Sequence, residues 1–431
     1  MKNISPIKLA KKIFPLNRSL TGKGNLETLQ IFQNICKNIK IKNFKSGKKV
    51  FDWKIPNEWN VNQAYIINPQ GQKICDFKKN NLHLVGYSSS IEKTINLSDL
   101  KKKLHFHSEL KNAIPYLTSY YKKDWGFCIS KNNFEKLKKG KYHIKIDTIF
   151  KKGKMHYGEC VIKGKFKKEI MISTYICHPS MANNEISGPV VSTMIAKWLS
   201  KKNLKYSYRI IFVPETIGSI AYIHKNIQRL KRNIIAGFNI TCVGDERTWS
   251  FLPSRNGNTL SDYIAKKTLV ELKKKFKIYD WLERGSDERQ YCSPGVDLPV
   301  CSVMRSKYGT YPEYHSSLDQ IKTVVTKKGL SQSINFYKKL ISNLEKSTFP
   351  ITKINCEPKL SKRNLYPTIN KKGKKNFGNQ ILNFLTFADG QYTMEDIYSK
   401  LKVKKKKFNE IINILKKNKL IKINQTPKNK K

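Results

Sequence analysis

A chain of 431 residues with 39% hydrophobic and 11% aromatic content exceeds the usual single-domain size and holds ample material for a core, which excludes disorder throughout and points to about two or three domains. The formal net charge of +53 would point to nucleic acid or an anionic membrane if it were concentrated, but it is not. The excess is lysine, it runs from "IKLAKKIF" to "TPKNKK", and it travels with Asn and Ile, the supply of an AT-rich genome laid on solvated faces. Arginine, the better fork for phosphates and bases, is scarce, which argues against a nucleic-acid partner. Nine cysteines without a CxxC pair sit mostly in apolar runs such as "MISTYICH" and "NITCVG", as reduced, buried thiols do. No stretch approaches the ~20 apolar residues of a membrane span, and the N-terminus lacks an apolar block of signal-peptide length, so the expectation is a soluble, cytoplasmic protein.

In chain order, residues 1–40 read as helical, with "NLETLQIFQNICKNI" apolar at 3.6-type spacing. Residues 41–139, rich in aromatics, Pro, Gly and short alternating segments, read as an inserted β-rich domain in which "NPQGQ" turns a hairpin. Its Trp53, Trp59 and Trp125 are core residues or a carbohydrate-facing platform. From 140 to 350 the pattern is strand then helix: "EIMISTYICH" before "GPVVSTMIAKWLSKK", "YSYRIIFVPE" before "IGSIAYIHKNIQRLKR", "IIAGFNITCVGD" before "NTLSDYIAKKTLVELKKKF", and finally "DLPVCSVMR". That alternation predicts an α/β domain, joined by 1–40, with a largely parallel sheet. Past the polar linker "STFPITKINCEP", residues 365–431 offer three short helices and a terminal strand, a winged-helix-like domain with Thr393 as an N-cap.

Ligands of open α/β sheets bind outside the carboxyl ends of the strands. Those ends carry His178, Glu215, Asp245 and, in the loop after the last strand, His315. Two imidazoles and two carboxylates at one edge are a set from which a Zn²⁺ site with an open position can be built.

The ordered motifs "CHPSMANNEISG", "VPETIGS", "TCVGD" and "YPEYHSSLD" resemble the zinc aminopeptidase superfamily, and more closely an aminopeptidase-like bacterial family associated with polysaccharide biosynthesis. The likeness extends to "FPLNRSLTGKG", "VFDWKIPNEWNV", "IPYLTSYYKKDWGFC" and "RGSDERQYCSPGVDLP". It implies a zinc-exopeptidase-like three-layer α/β/α domain, an inserted small β-rich domain and a C-terminal winged helix. Residue by residue, His178 falls on the first ligand histidine of those peptidases and His315 on the last, with Asp319 as its orienting partner. Asn184 stands where a metal-bridging aspartate is expected, with Glu185 as a substitute; Glu215-Thr216 stands for a Glu-Glu pair; Thr241 takes the place of a ligand aspartate, with Asp245 displaced by four residues. Asp287 and Glu288 fall on a pocket-lining motif.

The resemblance therefore implies one Zn²⁺, with two left open, held by His178, His315 and Asp245 or Glu215, and Glu215 as general base. The expected function is hydrolysis of a small amide or peptide-like substrate by an aminopeptidase or deacylase. The alternatives are a catalytically degraded scaffold protein and a winged-helix DNA-binding regulator. Homo-oligomerisation stays open.

Overall fold

In the computed structural model of the protein, residues 4–120, 122–365 and 375–428 are described; the ends of the expected domains at 1–3, 366–374 and 429–431 lie outside them. The chain forms two compact units, 1–339 and 340–431. The first is built on an eight-stranded sheet whose four central strands, Tyr206–Val213, Phe166–Tyr175, Ile234–Asn239 and Val300–Met304, run parallel in that spatial order. Every residue of Tyr206–Val213 and of Val300–Met304 is buried. A parallel strand covered on both faces has no solvent side, which is why these strands are near-continuous apolar runs. Helices Ser187–Leu199, Ile217–Asn233 and Leu260–Glu271 follow the first three of them in chain order. Towards its edges the sheet is mixed: Lys154–Ile162 lies antiparallel to Tyr206–Val213, and Ser250–Leu252 antiparallel to Val300–Met304.

Helix Ser187–Leu199 starts hard against the sheet. A Cβ on Gly188 would lie 2.3 Å from the Ile240 carbonyl oxygen and 2.6 Å from Thr174 Oγ1, so only glycine fits there.

A second, four-stranded antiparallel sheet orders Lys73–Ile74, Glu58–Ile67, Lys141–Lys151 and Ile91–Asn96. The "NPQGQ" hairpin closes it, with the Asn68 N–H donating to the Gln72 carbonyl at 2.9 Å and Gly71 at φ 74°. Lys141–Lys151 belongs to this sheet, beyond residue 139, where the change of texture falls in the sequence. Its burial alternates with period two along most of its length, the mark of a strand with one covered face. Trp59 is buried and stacks on Tyr87 with ring centroids 5.1 Å apart, whereas Trp53 is half-buried.

The second unit is a winged helix. Helices Lys375–Thr386, Met394–Leu401 and Lys405–Lys417 accompany a two-stranded antiparallel sheet of Phe349–Thr352 and Ile421–Asn424. Ile381, Phe384, Ile397, Phe408, Ile411 and Leu415 form its core. Thr393 caps the middle helix through a reciprocal bond with Asp396, as expected. Among the described residues no helix is long and apolar enough to cross a membrane.

One polar cluster crosses the first unit's sheet. Arg209, 1% exposed in the middle of Tyr206–Val213, donates from Nε and Nη2 to Glu169 at 2.5 and 3.0 Å and from Nη1 to Glu159 at 2.6 Å. Tyr222 donates to the same Glu159 oxygen at 2.6 Å. Burial pushes both carboxyls up, but the hydrogen bonds and the Arg209 charge outweigh it and both end below their ordinary range. A depressed carboxyl contributes stability above its unfolded pKa and loses it as pH falls through the folded one. Arg209→Met leaves Glu159 and Glu169 only the exposed Lys42 and Arg229 as cations and is expected to cost ~3 kcal/mol at neutral pH. The gap between variant and wild type should narrow below about pH 4.5, where those carboxylates protonate. Denaturant unfolding at both pH values checks this; a gap that is small or independent of pH rejects it.

Candidate functional site

The four parallel strands end at one edge. After Phe166–Tyr175 the chain passes Ile176 and Cys177 to His178, then makes one wide helical turn, Ala182–Ile186, before Ser187–Leu199 begins. The whole turn is buried, so its polar groups need partners. Asp319 supplies two: its carboxylate oxygens accept the main-chain N–H groups of Asn183 and Asn184 at 2.7 and 3.1 Å, and the Tyr311 hydroxyl at 2.9 Å. Asn183 accepts from the Gly244 N–H at 2.8 Å and donates to Asp245 at 2.9 Å. Asn184 accepts from the Tyr175 hydroxyl at 3.0 Å and donates to Glu185 Oε1. The two amides brace the turn.

What the turn presents is Glu185. It is 0% exposed, and its Oε2 has no hydrogen-bond partner. Ligand atoms of His178, Glu185 and Glu215 lie within 4.8 Å of one another. His178 Nε2 meets Glu215 Oε2 at 2.9 Å, and its Nδ1 meets the Tyr120 hydroxyl at 3.2 Å, which in turn meets the Tyr116 hydroxyl at 2.9 Å. Burial, then the Glu215 charge, push the Glu185 carboxyl well above its ordinary range, while Arg18 pulls the other way. Glu215 is also raised by burial, but the His178 hydrogen bond and charge outweigh this and leave it lowered. Beneath them Arg18, 0% exposed, donates from Nη1 to the carbonyls of Ile176 and Glu185, both at 3.1 Å. Burial takes its guanidinium down to about 10.

Of the residues singled out from the sequence, the fold therefore gathers His178, Glu215 and Glu185. Asp245 stands apart, its two oxygens taken by the Arg247 N–H, the Ser306 N–H and hydroxyl, each at 2.9 Å, and by Asn183. It braces the turn rather than facing a metal. His315 does not join the three either. Tyr116 packs against both imidazoles, its ring centroid 4.7 Å from His178 and 5.6 Å from His315, and its N–H donates to the His315 carbonyl at 2.9 Å. Burial and the His178 charge lower the His315 imidazole to about 4. Asp319, expected to orient His315, holds the turn instead.

Asp287 accepts from the Thr216 N–H at 2.8 Å and the Ser219 hydroxyl at 3.0 Å. Burial, then Glu215, raise it to about 8. Glu288 is saturated by the N–H groups of Gly285 and Ser286, the Tyr308 hydroxyl and the Asn239 amide. Asn184 is the brace described above. Sequence reasoning assigns no role to Arg18, Tyr116 or Tyr120, although all three lie inside the motifs "FPLNRSLTGKG" and "IPYLTSYYKKDWGFC".

A pocket of about 1040 Å³ opens on the group, with His178, Glu215, Tyr120 and Arg289 in its wall and Trp53 and Pro56 contributed by the β-rich region.

Comparison with known proteins places this geometry. A family model described as a domain of unknown function, DUF4910, matches residues 7–347, and a winged helix-turn-helix model matches 348–423. A Clostridium acetobutylicum protein, named as a candidate polysaccharide biosynthesis protein with an aminopeptidase-like domain, is 41% identical over 391 residues, 90% of this chain and 89% of its own. A crystal structure from that species, of a candidate peptidase, superposes with TM-score 0.81 at 38% identity, covering 97% of this chain and 96% of the other. A zinc aminopeptidase from Bacillus subtilis shares the fold, with TM-score 0.57 at 12% identity over 80% of this chain and 96% of its own.

The bracing role of Asp319 has a measurable consequence. Asp319→Ala strands two buried main-chain N–H groups and should destabilise the protein by ~2–5 kcal/mol. Equilibrium unfolding tests this, and a change under about 0.5 kcal/mol would show that the turn holds itself.

Proposed function

The chain belongs to the family of the domain of unknown function DUF4910, and on that footing we propose that it is a metal-dependent amide hydrolase working through His178, Glu185 and Glu215. The observation that carries this reading is Glu185 Oε2, a buried carboxylate oxygen with no donor, in a group whose ligand atoms lie within 4.8 Å of one another. Such an atom is costly unless a cation meets it. His178 and Glu185 offer an imidazole nitrogen and a carboxylate oxygen, donors that suit Zn²⁺. His178 and Glu185 would hold the ion, with Glu215 beside it.

A zinc ion bound there supplies Lewis acidity towards an amide carbonyl and makes a water acidic near neutral pH. The remaining work falls to the chain. Glu185 is wholly buried and keeps its place as a ligand, whereas the Glu215 side chain is 18% exposed and lines the pocket. Glu215 is therefore the carboxylate that reaches substrate and takes up a proton as general base. Tyr120 fixes the imidazole of His178 through Nδ1, so a bound ion would take Nε2 in place of its hydrogen bond with Glu215. Burial, then the neighbouring Cys177, keep the Tyr120 hydroxyl well above its ordinary pKa, so it remains a neutral hydrogen-bond partner.

The substrate class is a small amide, peptide-like or an acylated amino sugar; the name of the Clostridium relative supports the second. Asn184, Thr216 and Thr241, standing where two-zinc peptidases carry carboxylates, favour a scaffold role as the other reading.

Elemental analysis of metal-replete protein is expected to find about one zinc per chain, lost in His178→Ala and Glu185→Gln and kept in His315→Ala. With N-acetyl amino sugars and aminoacyl amides as substrates, Glu215→Gln should retain zinc and lose kcat by ~10²–10⁴. Wild-type protein that takes up no metal and turns over neither class decides for the scaffold.

A further inference from the structure

The pocket that opens on His178 and Glu215 has a charge pattern of its own. Lys54, Lys152 and Arg289 line it, against Asp52 and Glu215. Lys54, Lys152 and Asp52 are exposed, whereas Arg289 and Glu215 are half-buried. Glu215 is already engaged by His178 at 2.9 Å. An aminopeptidase needs acceptors for the ammonium of a free N-terminus, and this wall offers one uncommitted carboxylate and three cations.

Arg289 stands out among them, because lysines are everywhere on this chain and carry little information singly. Among the described residues Arg289 forms no ion pair. Its Nη2 donates to Thr216 Oγ1 at 2.9 Å, next to Glu215 in sequence, and its Nε is buried without a hydrogen-bond partner. Nε, with no accessible surface, does not face the cavity; a guanidinium anchored through Nη2 and without an ion pair leaves Nη1 to meet a planar or tetrahedral oxyanion there. The rest of the wall mixes apolar side chains, Leu20, Trp53, Ile55, Pro56 and Ile217, with polar ones such as Ser46, Asn57 and Gln290. At about 1040 Å³ the cavity is at the upper end of small-ligand pockets, large enough for a sugar and its substituents.

We propose that this pocket takes amides bearing an anionic group, carboxylate or phosphate, and that Arg289 holds that group while the rest of the wall covers the body of the ligand. The word substrate rests on the hydrolase reading above; the binding preference does not, and it is tested without turnover.

The test is calorimetric titration of the full chain at 150 mM salt with four probes: N-acetylglucosamine 1-phosphate, N-acetylmuramic acid, neutral N-acetylglucosamine and cationic leucinamide. At least one of the two anions should bind about tenfold or more tightly than the neutral sugar, and leucinamide weakest. The tighter of the two anions identifies which oxyanion the fork takes. Arg289→Gln should bring anion and neutral sugar within about twofold, and Arg289→Lys should restore part of the difference. Because Arg289 touches Thr216, the neighbour of Glu215, the exposed pair Lys54→Gln/Lys152→Gln serves as a second variant, expected to weaken only the anions by a few-fold. Glu185→Gln should keep the anion preference whether or not it loses metal. A preference that survives Arg289→Gln reflects the general positive field of the chain and overturns the proposal. Equal affinity for all probes, or tightest binding of leucinamide, overturns it as well, and leaves the hydrolase reading standing.

Discussion

The candidate site depends on one constraint: the main chain from Ala182 to Ile186 must hold a single wide turn with a carboxylate directed inward. Asp319 grips two consecutive N–H groups of that turn, and Asp245, reaching through the Asn183 amide, ties it to the segment after the third central strand. Neither carboxylate faces substrate. Their contribution is positional, and it explains why acids at the sheet's edge are more numerous than the chemistry requires. With the turn so fixed, Glu185 cannot swing to solvent, and its unsatisfied oxygen stays beside His178 and Glu215.

Electrostatics follow from that geometry. Glu215 raises two buried acids near it: Asp287 goes up to about 8 through burial and then Glu215, and Glu185 is pushed up by burial and then Glu215. Three like charges cannot all ionise in a medium of low polarity without cations. Arg18 supplies one from below, His178 meets Glu215 through a hydrogen bond, and Arg289 approaches Glu215 from the pocket side. The balance still leaves Glu185 reluctant to ionise, which is the state a bound divalent ion would reverse, since metal binding displaces protons from its ligands.

Much of the fold is legible in the sequence because burial on both faces writes an unmistakable pattern. "EIMISTYICH" and "YSYRIIFVPE" are largely apolar, and each precedes a helix, as a parallel strand covered on both faces does. Thr393 and "NPQGQ" are readable for a local reason: a cap and a turn are settled by a few adjacent residues. The site is harder. His178 and Glu215 are found from strand ends alone, but Asp245 and Asp319 carry the same signature while serving as braces, and no local pattern separates an acid that accepts main-chain N–H groups from one that faces a cavity. Arg18, Tyr116 and Tyr120 reach His178 and Glu185 from distant segments, so their roles depend on long-range packing that periodicity does not record. His315 illustrates the same limit. Its strand-end position is legible, and the tyrosine ring packed against it is not.

The substitutions at this edge point in one electrostatic direction. Relative to the carboxylate-rich pattern of two-zinc peptidases, Asn184, Thr216 and Thr241 each replace an acid with a neutral group, and each is used structurally: Asn184 and Thr241 share the Tyr175 hydroxyl, and Thr216 anchors Arg289. Removing negative charge weakens the case for a second metal ion, since an amide or hydroxyl oxygen is a poor ligand for Zn²⁺. It also changes what the neighbouring pocket can hold. With Thr216 rather than an acid in its wall, the field at the mouth is set by Arg289 and the lysines, and a free ammonium loses a partner that would fix it. One set of replacements thus fits both proposals, a single-ion site and a pocket of anionic preference, which makes the departure from the peptidase pattern a change of chemistry as readily as a loss of it.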